Sequence, residues 1–455
     1  MSTVSERMVT FLREQKASGV PAEVRHEAER LLLNQLKASV GAAAHPAVEL
    51  LHDWKRGAAT PGDTARVLWR GTQTSTEHAA MVNGALFEVL DFHDTYIPTY
   101  LHAVSGVLPA VLALGEALGS SGADVVDALA LGIEVELAIA TILMPTGYFR
   151  GFVPLGLVGG VGAAAACSVL GGLDDEQARN ALGLAMCTAG GTYESVGSMG
   201  LAYVTASAAR NGLDCYQLAA RGFDAPATAF EGDKGMLASY SDEPAEKTEG
   251  VLATLGSTWR IFGQSYKTVP TETITHAPIE CVLDVRARAG ERTVASMRFG
   301  VEPIVVTIAD ERLERFGLPS SDLEARFDLR FCAAAAWLRG RFGIAEMQEP
   351  TYTDQEVLAL RATVELVPDE ERKSFDGCWL EVGFEDGSTE RVVVDFFRGS
   401  ADNPVTDDEL GALFLAAADD HLDSTQAQAV VDAALALSTA PDLETLMTLC
   451  TAGSR

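Results

Sequence analysis

Apolar residues recur at three- and four-residue steps through most of the first 260 positions. After Pro21 they fall at Val24, Ala28, Leu31, Leu32 and Leu36, one face of a helix. Pro21 itself suits the first turn, where a missing backbone N–H costs nothing. The same spacing predicts helices over 76–92, 105–118, 122–143, 156–170, 175–188 and 205–222, with Gly222 as the stop of the last. The segment ARVLWR, 65–70, reads as a short β-like piece. Glu134 and Glu136 interrupt an otherwise apolar run in the 122–143 helix.

The period changes near residue 265. VEPIVVTIA (301–309), LRATVELVP (360–368), CWLEVGFED (378–386) and TERVVVDFF (389–397) are rich in β-branched and aromatic residues and predict strands. A helix is predicted between them over 329–342, and helical spacing returns after Asn403-Pro404 through 407–455. The predicted fold is therefore mainly α with an α+β insert. Residues 1–264 and 398–455 make a discontinuous helical domain, and 265–397 make a smaller α/β domain.

The longest uncharged stretch, FVPLGLVGGVGAAAACSVLGGL at 152–173, is long enough to span a bilayer. Its Gly and Ala content predicts a tightly packed buried helix instead. Within it, GGVGAAAA contains a G-x-G-x-x-A string, but no strand precedes it and the next acids, Asp174 and Asp175, come too early for a dinucleotide site. There is no G-x-S-x-G, H-E-x-x-H or Walker loop.

Charge narrows the partners. With 34 Lys and Arg against 64 Asp and Glu, the formal charge is −30. Such a polyanion repels phosphate backbones and anionic lipid, so no nucleic acid and no membrane surface is expected as a partner. Seven cysteines at 167, 187, 215, 281, 332, 378 and 450 are odd in number and widely spaced. They read as reduced thiols of a cytoplasmic protein and not as a zinc or iron–sulfur set. The start, MSTVSERMVTFLREQK, has no apolar core with a cleavage site.

Candidate chemistry concentrates in two places. Asp91-Phe-His93-Asp94-Thr95-Tyr96-Ile-Pro-Thr-Tyr100-Leu-His102 packs two imidazoles, two carboxylates, hydroxyls and phenols into twelve residues between two apolar helices. Histidine titrates near neutral pH and can carry protons, and a neighbouring carboxylate can tune it. A metal site from Asp91, His93, Asp94 and His102 and a plain capping loop are the competing readings. The second cluster, Ser265-Tyr266-Lys267-Thr268-Val269-Pro270-Thr271 followed by His276, contains one of only seven lysines, in an uncharged segment at the predicted domain junction. It suits a carboxylate anchor or an exposed hinge lysine.

Four segments together resemble the MmgE/PrpD family of dehydratases, decarboxylases and epimerases. LFEVLDFHDTYIPTYLHAVSGVLPAVLALGEALG, GFVPLGLVGGVGAAAACSVLGGLD, SYKTVPTETITHAPIE and NPVTDDELGALF resemble the family's motifs in order along nearly the whole chain. The resemblance implies a homodimer with a large helical domain, a smaller α/β lid, and neither metal nor organic cofactor. It implies proton transfer next to a carboxylate of a small-molecule substrate. Asp91, Thr95 and His102 match polar positions of the first motif, and Lys267 and His276 match the third. His93 stands where the family usually has Asp, Val153 where it has histidine, Leu201 where it has lysine and Val204 where it has a second histidine.

These departures remove cationic anchors, each worth about 1.5–3 kcal/mol to a bound carboxylate. A substrate less anionic than citrate-like acids is expected. The resulting reading is a cofactor-independent lyase or isomerase in which His102, tuned by Asp91, carries the proton and Lys267 stabilises developing negative charge. Thr95, His93, Tyr96, Tyr148, Arg150, Val153, Leu201 and His276 are the candidate substrate contacts, with Tyr193, Glu194 and Tyr203 as further replacements. The alternatives are a specialised-metabolism cyclase or eliminase, acting for example on a polyketide, and a non-catalytic binding protein.

Overall fold

The computed structural model describes residues 2–54, 64–290 and 292–451. It divides into two compact units. The first comprises Met1–Val89, His93–Gln264 and Thr406–Arg455, and the second Leu90–Phe92 and Ser265–Val405.

The first unit is helical. In chain order it contains α1 (Val4–Ser18), α2 (Ala22–Val40), α3 (Pro46–Trp54), α4 (Thr76–Glu88), α5 (Ala103–Leu118), α6 (Gly122–Leu143), the single turn α7 (Thr146–Phe149), α8 (Pro154–Leu170), α9 (Asp175–Cys187) and α10 (Met199–Ala220). Two three-residue strands, Ala65–Val67 and Thr72–Thr74, pair antiparallel before α4, where ARVLWR was expected to extend. The closing helices include Asp407–Ala418, whose N-cap Thr406 and Glu409 form a capping box.

The uncharged Gly/Ala stretch becomes α8, and it is buried from Pro154 to Val169. It packs against α5, α6, α9 and α10. Small residues are required there by space. A Cβ on Gly162 would lie 2.5 Å from Glu136 Oε2, and one on Gly212 would lie 2.3 Å from the Ala163 Cβ. The helix is apolar on every side because every side meets another helix. Among the described residues, no helix is long and apolar enough to cross a membrane.

The second unit holds a four-stranded mixed sheet in the order Val364–Pro368, Val294–Val301, Cys378–Phe384, Thr389–Val394. The first pair is parallel and the other two are antiparallel. Helices lie between the two parallel strands along the chain, as a parallel connection requires.

One sequence expectation is overturned here. The 301–309 run is not a strand. It enters the helix Pro303–Phe316, with Pro303 in the first turn, while the strand is the preceding Val294–Val301. Val305, Ile308, Ala309 and Arg312 are the buried residues of that helix, a helical spacing that the β-branched Ile-Val-Val run concealed. The helix expected over 205–222 also starts earlier, at Met199, because Ser198 caps it by accepting from the Gly200 N–H.

Candidate active site

In the first unit the site begins where α4 ends and α5 starts. The chain from His93 to His102 is folded back on itself. The Tyr96 N–H donates to the Leu101 carbonyl at 2.7 Å, around a 3-10 turn at Ile97–Thr99. Tyr100 takes a left-handed conformation, φ +55°, to close that turn. This costs a non-glycine residue energy that the surrounding structure must supply.

The fold-back brings two imidazoles onto one carbonyl. His102 Nδ1 lies 2.8 Å from the Asp94 backbone oxygen, and His93 Nδ1 lies 3.0 Å from the same atom. A carbonyl only accepts, so both Nδ1 atoms are assigned their protons. The basic nitrogen of each ring is then Nε2. The two rings pack 4.1 Å apart between centroids. Thr95 is buried, with its hydroxyl 3.3 Å from His102 Nδ1. His102 is half-buried, whereas His93 has no exposed surface.

The groups around these rings were only partly visible in the sequence. Glu88, the last residue of α4, is buried, and its Oε2 lies 3.4 Å from His93 Nε2. The same oxygen accepts from the Thr205 hydroxyl of α10 at 2.9 Å. The Asp94 carboxylate accepts from Gln35 Nε2 of α2 at 2.6 Å. Burial pushes the Asp94 carboxyl up, and the nearby His93 opposes that rise. The only sequence signal for Glu88 is an acid in an otherwise apolar helix end, ALFEVL.

Glu136 of α6 is fully buried, and neither carboxylate oxygen has a hydrogen-bond partner among the described residues. Burial, reinforced by the Asp94 charge, holds its carboxyl well above the ordinary carboxylate range. The neutral acid is therefore the form that fits the folded core. Its contribution to stability is whole below the unfolded carboxyl's pKa and is lost as pH rises toward the folded value. The stability of Glu136→Gln relative to wild type should thus improve steadily from pH 4.5 to pH 8. Urea unfolding at the two pH values checks this, and a difference independent of pH would contradict it.

In the second unit, Lys267 Nζ donates to Asp91 Oδ1, and both side chains are buried. Asp91 has a left-handed backbone, φ +50°, a conformation Asp tolerates better than most residues. Burial raises the Glu272 carboxyl, against the Arg312 guanidinium 2.9 Å away. His276 opens the helix His276–Ala289 and is buried with its ring 4.9 Å from that of Phe397.

The remaining candidates are scattered. Tyr96 packs its ring against Gly263, and burial raises its phenol. The Tyr148 hydroxyl lies 2.7 Å from that of Tyr193, and the Tyr100 ring packs at a tilt of 46° against Tyr148, 4.7 Å between centroids, giving a three-tyrosine cluster. Arg150 is exposed and engaged by Asp242 at 2.7 Å and by the Ser239 carbonyl at 3.2 Å. Val153 is buried at the N-cap of α8, with its N–H donating to the Gly191 carbonyl at 3.0 Å. Leu201 is half-buried in the first turn of α10. Tyr203 and Val204 line a cleft of about 350 Å³ with Gly156, Thr188 and Asn211. Glu194 is exposed.

A metal would need imidazole lone pairs. With both Nδ1 atoms donating, Nε2 is the nitrogen that each ring would offer to a metal ion or to a proton, and that of His93 faces Glu88. The arrangement suits proton transfer by His102 Nε2.

Comparison with protein families matches residues 6–249 to the MmgE/PrpD N-terminal domain and residues 269–438 to the MmgE/PrpD C-terminal domain. Human cis-aconitate decarboxylase is 28% identical over 384 residues, covering 82% of this chain and 79% of the human protein. The cis-aconitate decarboxylase-like protein oryM of Aspergillus oryzae is 25% identical over 478 residues, covering 98% and 97%. Cis-aconitate decarboxylase of Aspergillus terreus is 30% identical over 284 residues, covering 60% and 58%.

Proposed function

We propose, from the premise that this chain belongs to the MmgE/PrpD family of lyases, that it is a cofactor-independent lyase or isomerase acting next to a carboxyl or carbonyl group. The observation that carries this reading is the His102 Nδ1 contact with the Asp94 carbonyl. A fixed Nδ1–H makes Nε2 a base of defined direction, which is what abstraction of a proton beside a carbonyl demands. Lys267, a buried cation of the second unit, is assigned to stabilise negative charge on an enolate or carboxylate. Decarboxylation, the reaction in the relatives' names, is one of the outcomes open to such a base.

The substrate is less anionic than citrate-like acids. Val153 and Leu201 are apolar at positions where the family resemblance expects histidine and lysine. Arg150 is committed at the surface to Asp242. A second reading, a cyclase or eliminase acting on a larger apolar intermediate, is favoured by the Tyr100, Tyr148 and Tyr193 cluster. Aromatic faces with phenol tips suit a mostly apolar, carbonyl-bearing ligand.

A ligand-stabilisation screen tests the substrate class, because a ligand bound to the folded state raises its melting temperature. Larger monoanionic or neutral apolar acids should stabilise the wild type, and citrate-like acids should not. Val153→His with Leu201→Lys should tighten binding of di- and tricarboxylates by about 1.5–3 kcal/mol per restored anchor. Stabilisation of the wild type by citrate-like acids would remove the proposal that its substrate is less anionic.

A further inference from the structure

We propose that Glu88 is a positioning residue that fixes the reactive form of His102 by acting through His93. The proposal rests on His102 being the proton carrier. Its physical claim, the tautomer of one ring, is measurable without any activity.

A chain of contacts runs across two helices and a loop. The Thr205 hydroxyl of α10 donates to Glu88 Oε2 at 2.9 Å. That oxygen stands 3.4 Å from His93 Nε2 in the core. The other nitrogen of His93 donates to the Asp94 carbonyl, so one end of this ring is hydrogen-bonded and the other faces the carboxylate. His93 in turn packs at 4.1 Å against His102, whose Nδ1 shares the same carbonyl. A carbonyl oxygen has two lone pairs, and the two imidazoles supply one donor to each. The second ring therefore keeps its place on the carbonyl only while the first is held off the remaining lone pair and away from its face.

Glu88 is the group that holds it. With Nδ1 donating, the Nε2 lone pair of His93 would meet a bare carboxylate unfavourably, so one proton is assigned to the space between the two groups, which stand 3.4 Å apart. It fixes the ring in plane and in tautomer. Glu88, Thr205 and His93 are all buried, so solvent reaches the chain only at His102. His93 is thereby assigned to the support of His102 and not to substrate contact. The family resemblance places an aspartate at this position, which has no ring to pack against His102. Glu88 and His93 thus act as one device.

Histidine-selective 15N NMR of the full-length protein tests this. The eight histidines are few enough for His93 and His102 to be assigned by their loss in His93→Asn and His102→Asn. In wild type, His102 should show a pyrrole-type Nδ1 and a pyridine-type Nε2, the tautomer that is the minor one in free histidine. Glu88→Leu should move His102 toward the opposite tautomer or a mixture. Glu88→Gln, whose amide can donate to His93 Nε2, should restore the wild-type pattern, which a merely space-filling role for Glu88 would not require. If Glu88→Leu does not fold, Thr205→Val must show the same displacement in smaller degree. An unchanged His102 signal in folded Glu88→Leu or Thr205→Val, or an Nε2–H tautomer in wild type, overturns the proposal. Absence of turnover with a correct His102 tautomer would instead count against the acid–base function and leave the Glu88 assignment standing.

Discussion

Replacing His102 with Asn should lower turnover about 10²–10⁴-fold, the usual worth of a positioned general acid or base. Asn keeps a side-chain donor for the Asp94 carbonyl and so preserves the local backbone, while removing the basic Nε2. The melting temperature should stay close to wild type, because His102 is half-buried and caps nothing through its side chain. KM should change little if the ring acts mainly in the transition state. Near-wild-type turnover of the variant would remove His102 as the proton carrier and shift attention to the Tyr148–Tyr193 phenol pair, whose hydroxyls already share a hydrogen bond.

Replacing Lys267 with Met should produce the largest loss of stability. It leaves the Asp91 carboxylate buried without its ammonium, a change that costs about 3–5 kcal/mol. The Asp91→Asn, Lys267→Met double variant should regain much of that loss, because the buried charge is gone with its partner. Unfolding midpoints of the single and double variants measure the coupling. Additive losses in the double variant would mean that the pair is not the energetic unit its geometry describes. Catalysis should not return in the double variant, since the cation assigned to stabilise developing charge is absent.

The sequence carried the architecture more fully than the connections within the site. The Gly/Ala stretch declared a buried helix by composition, and α8 is buried as its neighbours require. The helix at Pro303–Phe316 was misassigned because Ile304, Val305 and Val306 favour strands locally, while packing of Val305, Ile308 and Ala309 favours helix. The true strand, VASMRFGV, is broken up by Ser, Arg and Gly, and only its pairing with two neighbours makes it a strand.

Within the site, Thr95 and His102 were visible because they crowd into one short segment. Asp91 and Lys267 were each singled out, but their pairing spans 176 positions and no local pattern records it. The Asp91 carboxylate accepts from Lys267, and the carbonyl of Asp94 accepts from His102 Nδ1. Backbone acceptors leave no trace in side-chain identity, so this contact had no sequence signal. Glu88 and Thr205 stand 117 positions apart on α4 and α10, and each is ordinary where it occurs. Their meaning arises only when the packing of those helices places them against His93.

The acid–base reading meets its most direct test in solvent deuterium. The wild-type protein would be incubated in D₂O with the carbonyl or carboxylic acid that stabilises it best, and the recovered compounds analysed by mass spectrometry and NMR. The predicted result is deuterium at the carbon next to the carbonyl or carboxyl group, dependent on His102. Dehydration, decarboxylation and epimerisation through such a base all pass a proton at that carbon. Tight binding of the acid with no deuterium at that carbon would contradict the account and identify a protein that binds its ligand without transforming it.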